Sequence, residues 1–139
     1  GCPVLSHIWS DNPPLAEVEQ AVKSRHKLKL IMAHQGGGNE KCTWQYTRLM
    51  KEYSNLYMDI CGSLYNQYSM EEIVELAGEN RVIFGTDMIN LDPRYDFGKV
   101  VFSNLPDTIK IKILSVNFLN LLKDSSLGQI KLNDSKTES

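Results

Sequence analysis

Two histidines and an aspartate close short apolar runs in this chain of 139 residues: His7 after Pro3-Val-Leu-Ser, His34 after Leu30-Ile-Met-Ala, and Asp87 after Val82-Ile-Phe-Gly-Thr. Imidazole nitrogen and carboxylate oxygen are the donors a divalent cation such as Zn²⁺ takes at about 2.0–2.2 Å, and the same groups move protons near neutral pH. Each residue also has a plain structural use. A hydrogen-bonded histidine at a strand end is common, and a carboxylate there can cap the amides of the next loop. His34 is followed by Gln35-Gly36-Gly37-Gly38, where the glycines serve either a tight turn or a close approach of the backbone to a ligand. Asp87 at the end of a buried run is costly unless it is paired or bound to a cation.

Other candidates rank lower. Asp59 lies inside a strand-like run, where it faces an interior site or hydrogen-bonds a neighbouring strand. Cys61 borders the same stretch, and buried cysteine mostly behaves as a small hydrophobe. His26 lies in the basic segment Lys23 to Lys29 and is expected in solvent; Cys2 and Cys42 have no neighbour that would make a reactive thiolate. Ser63, His34 and Asp87 would compose a hydrolytic triad, but no Gly-x-Ser-x-Gly elbow supports it. The three glycines lack the spacing of a phosphate loop, and no helix-start signal is read directly after them, which places a phosphate-binding open sheet last. Asn133-Asp134-Ser135 matches a glycosylation acceptor that is taken as chance.

The elements that must hold these residues follow from periodicity. Strands are predicted over Pro3 to His7, Leu28 to His34, Leu56 to Ile60 and Arg81 to Thr86. Helices are predicted from Pro14, from Thr43, from Ser69 with Glu72 completing a capping box, near Phe97 to Phe102, and over Asp107 to Leu122. In the last of these, Ile109, Ile113, Val116, Leu119 and Leu122 form the buried stripe. Gly78 is placed to end the third helix in a left-handed turn. Strand–helix–strand repetition implies parallel strands with right-handed crossovers, an α/β architecture in which every strand end, and so His7, His34, the Asp59 to Cys61 stretch and Asp87, gathers on one rim.

Composition narrows the function classes. Fifteen Lys and Arg against seventeen Asp and Glu give a net charge of −2, which removes the electrostatic reason to expect nucleic acid or an anionic membrane as partner. The hydrophobic content of 42% fits one soluble domain. The apolar runs are far shorter than the roughly 20 residues of a membrane span, and the three cysteines make no CxxC pair; a cytoplasmic location is expected. The chain begins with Gly1 and enters a strand almost at once, from which processing or a missing upstream portion is expected. Residues 1–122 are taken as one domain and 123–139 as a disordered tail.

On the motifs Pro3-Val-Leu-Ser-His7, Leu30-Ile-Met-Ala-His34-Gln-Gly-Gly, Asn55-Leu-Tyr-Met-Asp59-Ile and Arg81-Val-Ile-Phe-Gly-Thr-Asp87, the chain resembles the amidohydrolase-related branch of the amidohydrolase superfamily, which includes aminocarboxymuconate-semialdehyde decarboxylase-like proteins. They are similar to that family's fifth to eighth strands, and Ile113 to Leu122, with Asn117, to its closing helix. The resemblance implies the C-terminal half of a (β/α)8 TIM barrel. It implies His7 as a metal ligand, Asp87 as a metal contact that exchanges protons, and His34 as a second ligand or a group that polarises a substrate oxygen. The cofactor implied is a divalent metal, Zn with Mn as the alternative, and the reaction hydrolysis or decarboxylation of a small carboxylated or amide-bearing metabolite. The family's first-strand His-x-His pair has no counterpart in this sequence. Four barrel strands would leave two unpaired edges and an uncovered inner face, so the expected partners are a missing N-terminal half or a second copy. A catalytically silent half-barrel acting as an interaction module is the alternative.

Overall fold

A computed structural model describes residues 2–9, 12–37, 39–62, 69–123 and 125. Ser63, Gly38, the Asn133 acceptor and most of the expected tail lie outside these residues. Of that tail, Lys123 ends a helix and Ser125 is buried.

Four strands, β1 (Val4–Ser6), β2 (Leu30–Met32), β3 (Leu56–Asp59) and β4 (Val82–Ile83), form one parallel sheet in chain order. The register sets Leu5 beside Ile31 and Ile31 beside Tyr57, with Asp59 beside Ile83. Strand alternation therefore gives the sheet two faces. Leu30, Met32, Leu56, Met58 and Val82 point into the main core, where they meet Val18 and Val22 of α1 (Leu15–Ser24), Tyr46 and Met50 of α2 (Glu40–Glu52), and Ile73 and Ala77 of α3 (Ser69–Ala77). Leu5, Ile31, Asp59 and Ile83 share the other face and line a shallow apolar groove of 340 Å³. Strands with flanking helices in this order form a partial (β/α)8 barrel. Among the described residues no helix is long and apolar enough to cross a membrane.

Three sequence expectations need correction. The second helix starts at Glu40, not Thr43, because Asn39 caps it: the Asn39 side chain accepts the Cys42 N–H at 3.0 Å. A helix start therefore does follow the glycines closely, but its first amides are answered by Asn39. The helix expected near Phe97 begins earlier, as α4 (Pro93–Val101), with Asp92 capping and Pro93 in the first turn, where its missing N–H leaves nothing unpaired.

The third correction concerns the closing helix. It runs as α5 (Asp107–Ile111), a π-helical stretch Lys112–Val116, and α6 (Asn117–Lys123). The wider π turn advances the phase of everything after it, so Ile113, Asn117 and Leu121 are buried four residues apart while Leu119 is 53% exposed. Leu121 closes over Ile31 and Ile83, so the second sheet face is partly covered instead of bare. The free edge of β4 is answered by the same helix: Phe84 N–H donates to the Ile113 carbonyl at 3.0 Å, and Asn117 Nδ2 donates to the carbonyls of Glu79 and Val82 at 2.7 and 2.8 Å. One of the two expected open edges is thus capped from within the chain.

Candidate active site

The chain turns sharply after β2. His34, Gln35 and Gly36 all take left-handed backbone angles, with φ of 54°, 53° and 86°. Such angles are unfavourable for the first two, since a side chain there crowds its own carbonyl. Hydrogen bonds from the next strand hold the turn. Asp59 Oδ1 accepts the His34 backbone N–H at 3.0 Å and the Cys61 N–H at 3.1 Å, so Asp59 is a buried clamp between the ends of β2 and β3. The Cys61 carbonyl accepts Gln35 Nε2 at 3.1 Å. Gly36 is required because a Cβ there would run into the Tyr46 ring.

This turn delivers the His34 imidazole to the rim, where its Nδ1 lies 3.2 Å from the Cys61 carbonyl oxygen and its Nε2 lies 3.2 Å from His7 Nδ1. A carbonyl only accepts, so the network assigns the His34 proton to Nδ1 and leaves Nε2 to accept from His7 Nδ1–H. In neutral His7 the remaining lone pair then sits on Nε2. The two rings meet edge to face at 4.8 Å, and the Trp9 ring packs edge-on to His34 at 5.2 Å.

Asp87 reaches the same place from β4. It is itself left-handed (φ 48°), and its carbonyl and Oδ1 accept from the backbone and side chain of Asn90 at 3.1 and 3.3 Å. Its Oδ2 is turned toward Gly62: a Cβ built on Gly62 would lie 3.3 Å from Asp87 Oδ2 and 2.9 Å from His34 Nδ1. His7, His34 and Asp87 therefore gather at the carboxyl ends of three parallel strands, with Asp87 on the Nδ1 side of the His34 ring beside Gly62 and His7 on its opposite, Nε2 side. Cys61 is beside them, its Sγ 3.5 Å from His34 Nδ1, but burial, reinforced by the Asp59 charge, pushes its thiol up to about 12. That leaves it protonated at neutral pH and a poor nucleophile. His26 is exposed and precedes the start of β2, at the end of that strand opposite His34.

The donor types suit a divalent cation, but their number does not complete a site. Among the described residues no group of three His, Cys, Asp or Glu side chains is arranged to hold a metal ion. His7 Nε2 and Asp87 Oδ2 are the atoms with capacity to contribute, while both nitrogens of His34 are engaged. The sequence did not single out Trp9 or Gln35. Both lie one or two positions from a candidate histidine, which is the only signal they offered.

No curated protein matches the chain. Solved structures do match in fold. An uncharacterised TIM-barrel protein from Bordetella bronchiseptica superposes with a TM-score of 0.70 at 18% identity, over 88% of this chain and 46% of that one. A 2,6-dihydroxybenzoate decarboxylase complexed with 2,6-dihydroxybenzoate gives 0.63 at 15% identity, over 78% and 39%. A dihydroxybenzoic acid decarboxylase from Polaromonas, with bound manganese and the inhibitor 2-nitroresorcinol, gives 0.63 at 16%, over 78% and 38%. This chain spans less than half the length of each of them. The family model described as Amidohydrolase matches residues 1–121, and on that match the chain belongs to the amidohydrolase family.

Proposed function

We propose that this chain carries rim residues of a metal-dependent hydrolase or decarboxylase acting on a small carboxylated or amide-bearing molecule, with ligands beyond the described residues completing the site. The observation that supports the reading is the gathering of His7, His34 and Asp87 at one rim, with His7 Nδ1 3.2 Å from His34 Nε2 and Asp87 Oδ2 beside Gly62 on the Nδ1 side of the same ring. His7, through Nε2, and Asp87 would hold the cation, with zinc or manganese the ions to try first. A cation bound there supplies Lewis acidity and brings water toward ionisation near neutral pH. The chain's own residues do the rest. Asp87 Oδ2 takes a proton in hydrolysis or returns one to carbon after loss of carbon dioxide. His34, locked with its proton on Nδ1, keeps His7 in the tautomer that presents Nε2 outward. Trp9 packs at right angles against the His34 ring. The decarboxylases of similar fold make an aromatic carboxylate the first substrate to test.

Titration calorimetry of the chain with Mn²⁺ or Zn²⁺, followed by a carbon dioxide release assay on a dihydroxybenzoate, tests this. Near-stoichiometric binding that weakens at least tenfold in His7→Asn and Asp87→Asn is the expected outcome. Binding indifferent to both substitutions would remove the assignment.

A second reading, a catalytically silent half-barrel serving as an interaction module, is favoured by one observation: the β1 edge is open and apolar, with Leu5 61% and Val4 46% exposed. A purified chain that binds neither ion and sediments as a defined dimer would support it.

A further inference from the structure

Helix α4 is mostly exposed, with Tyr95 and Phe97 about half in solvent, yet it buries an ion pair. Asp96 is fully buried, the Lys99 side chain is 9% exposed, and Lys99 Nζ lies 2.6 Å from Asp96 Oδ1. A surface helix has no general reason to desolvate two charges, since such a pair often contributes no more than apolar residues of similar size. The hydrogen bonds of this pair indicate its use. Lys99 Nζ donates to the Ile60 carbonyl at 2.8 Å, and Asp96 Oδ1 accepts the Gly62 N–H at 3.1 Å. The pair therefore grips the backbone on both sides of Cys61, the residue whose carbonyl holds His34.

The Gly62 N–H and the Cys61 C=O belong to one peptide unit. In a planar trans peptide they point in opposite directions, so fixing one fixes the other. Asp96 on one side turns the Cys61 carbonyl toward His34 Nδ1 and Gln35 Nε2 on the other. An amide donating to a carboxylate also has a more negative carbonyl oxygen, which strengthens the bond to the imidazole. Gly62 makes this possible: its φ is +66°, and a Cβ would intrude on His34. Glycine holds such an angle without a steric penalty.

We infer that Asp96, supported by Lys99, is a positioning residue that sets the tautomer and orientation of His34 through the Cys61–Gly62 peptide plane. This rests on the reading of His34 as part of the site, but its test needs neither metal nor turnover. Failure here would leave the proposed function standing, and a chain without metal affinity or activity would leave this inference standing.

The experiment is nitrogen-15 NMR of the His34 ring and hydrogen exchange of the Gly62 amide in the full chain and two double variants. Asp96→Ala with Lys99→Met removes the grip without stranding a charge. Asp96→Asn with Lys99→Met restores a neutral acceptor for Gly62. The parent is expected to show His34 as a single Nδ1–H form and a Gly62 amide protected at least tenfold over an unstructured one. The Ala variant should lose both, its ring moving to the tautomer mixture of free imidazole, and the Asn variant should recover the Nδ1–H form. A folded Ala variant with an unchanged His34 ring would overturn the inference. If that variant does not fold, the parent decides: a mixed or Nε2–H tautomer, or an unprotected Gly62 amide, overturns it equally.

Discussion

His34 owes its place at the rim to a backbone conformation it would not choose alone. Two successive left-handed non-glycine residues are unfavourable by about 1 kcal/mol or more each, and Asp59 offsets this by accepting two backbone amides. Asp59→Ala strands both donors in a buried position, and we expect a loss of about 3 kcal/mol in a urea titration. Gly62→Ala acts on the same histidine by a different route. Its Cβ would press on the ring at 2.9 Å, and the residue would have to hold a φ of +66°. We expect destabilisation of about 1–2 kcal/mol, together with loss of the His34 Nδ1–H signal. Cys61 yields a pH prediction. With its thiol raised to about 12, the reactive thiolate is scarce at pH 8 and grows about tenfold per pH unit until the thiol titrates. Iodoacetamide should modify exposed Cys2 first in the native chain, and labelling of Cys61 at pH 8 as fast as Cys2 would contradict the buried, protonated thiol.

At the scale of elements, periodicity and capping signals located the four strands and the main helices found among the described residues, because amphipathic helices and short apolar runs leave repeats that do not depend on tertiary detail. What escaped was set by single contacts. Asn39 moved a helix start, and the π turn at Lys112–Val116 exchanged Leu119 for Leu121 as the buried residue, a change that no 3.6-residue period can express. The rim residues were legible because strand ends in a parallel sheet gather on one side. The burial of Asp96 and Lys99 was not, since an acid and a base three positions apart read as an ordinary solvated helix face. Asn117 joins the two kinds of information: it sits in the recognisable closing helix, and its amide answers two carbonyls whose need for a donor the sequence does not reveal. Asn117→Leu should leave the Val82 carbonyl unpaired in the core. We expect a loss of about 2–4 kcal/mol, seen as a lower urea midpoint with an unchanged slope.

For the whole molecule, the asymmetry of the sheet decides how the chain meets others. The β4 edge is capped by Ile113 and Asn117, so further pairing there requires the closing helix to move. The β1 edge is different. Val4 and Ser6 bond to β2, which turns the N–H and C=O of Leu5 outward in a parallel ladder. Leu5 itself is 61% exposed, with Val4 at 46%. A short, apolar strand edge of this kind pairs with another strand when one is offered, and charge on it prevents this. We therefore expect the purified chain to associate as its concentration rises, through β1 and not β4. Leu5→Lys should hold it monomeric in sedimentation without lowering its melting temperature, because Leu5 lies outside the main core. Lys112→Met, placed on the closing helix near the other edge, should leave the association constant unchanged. If Leu5→Lys associates as strongly as the parent, the open β1 edge is not what joins the molecules.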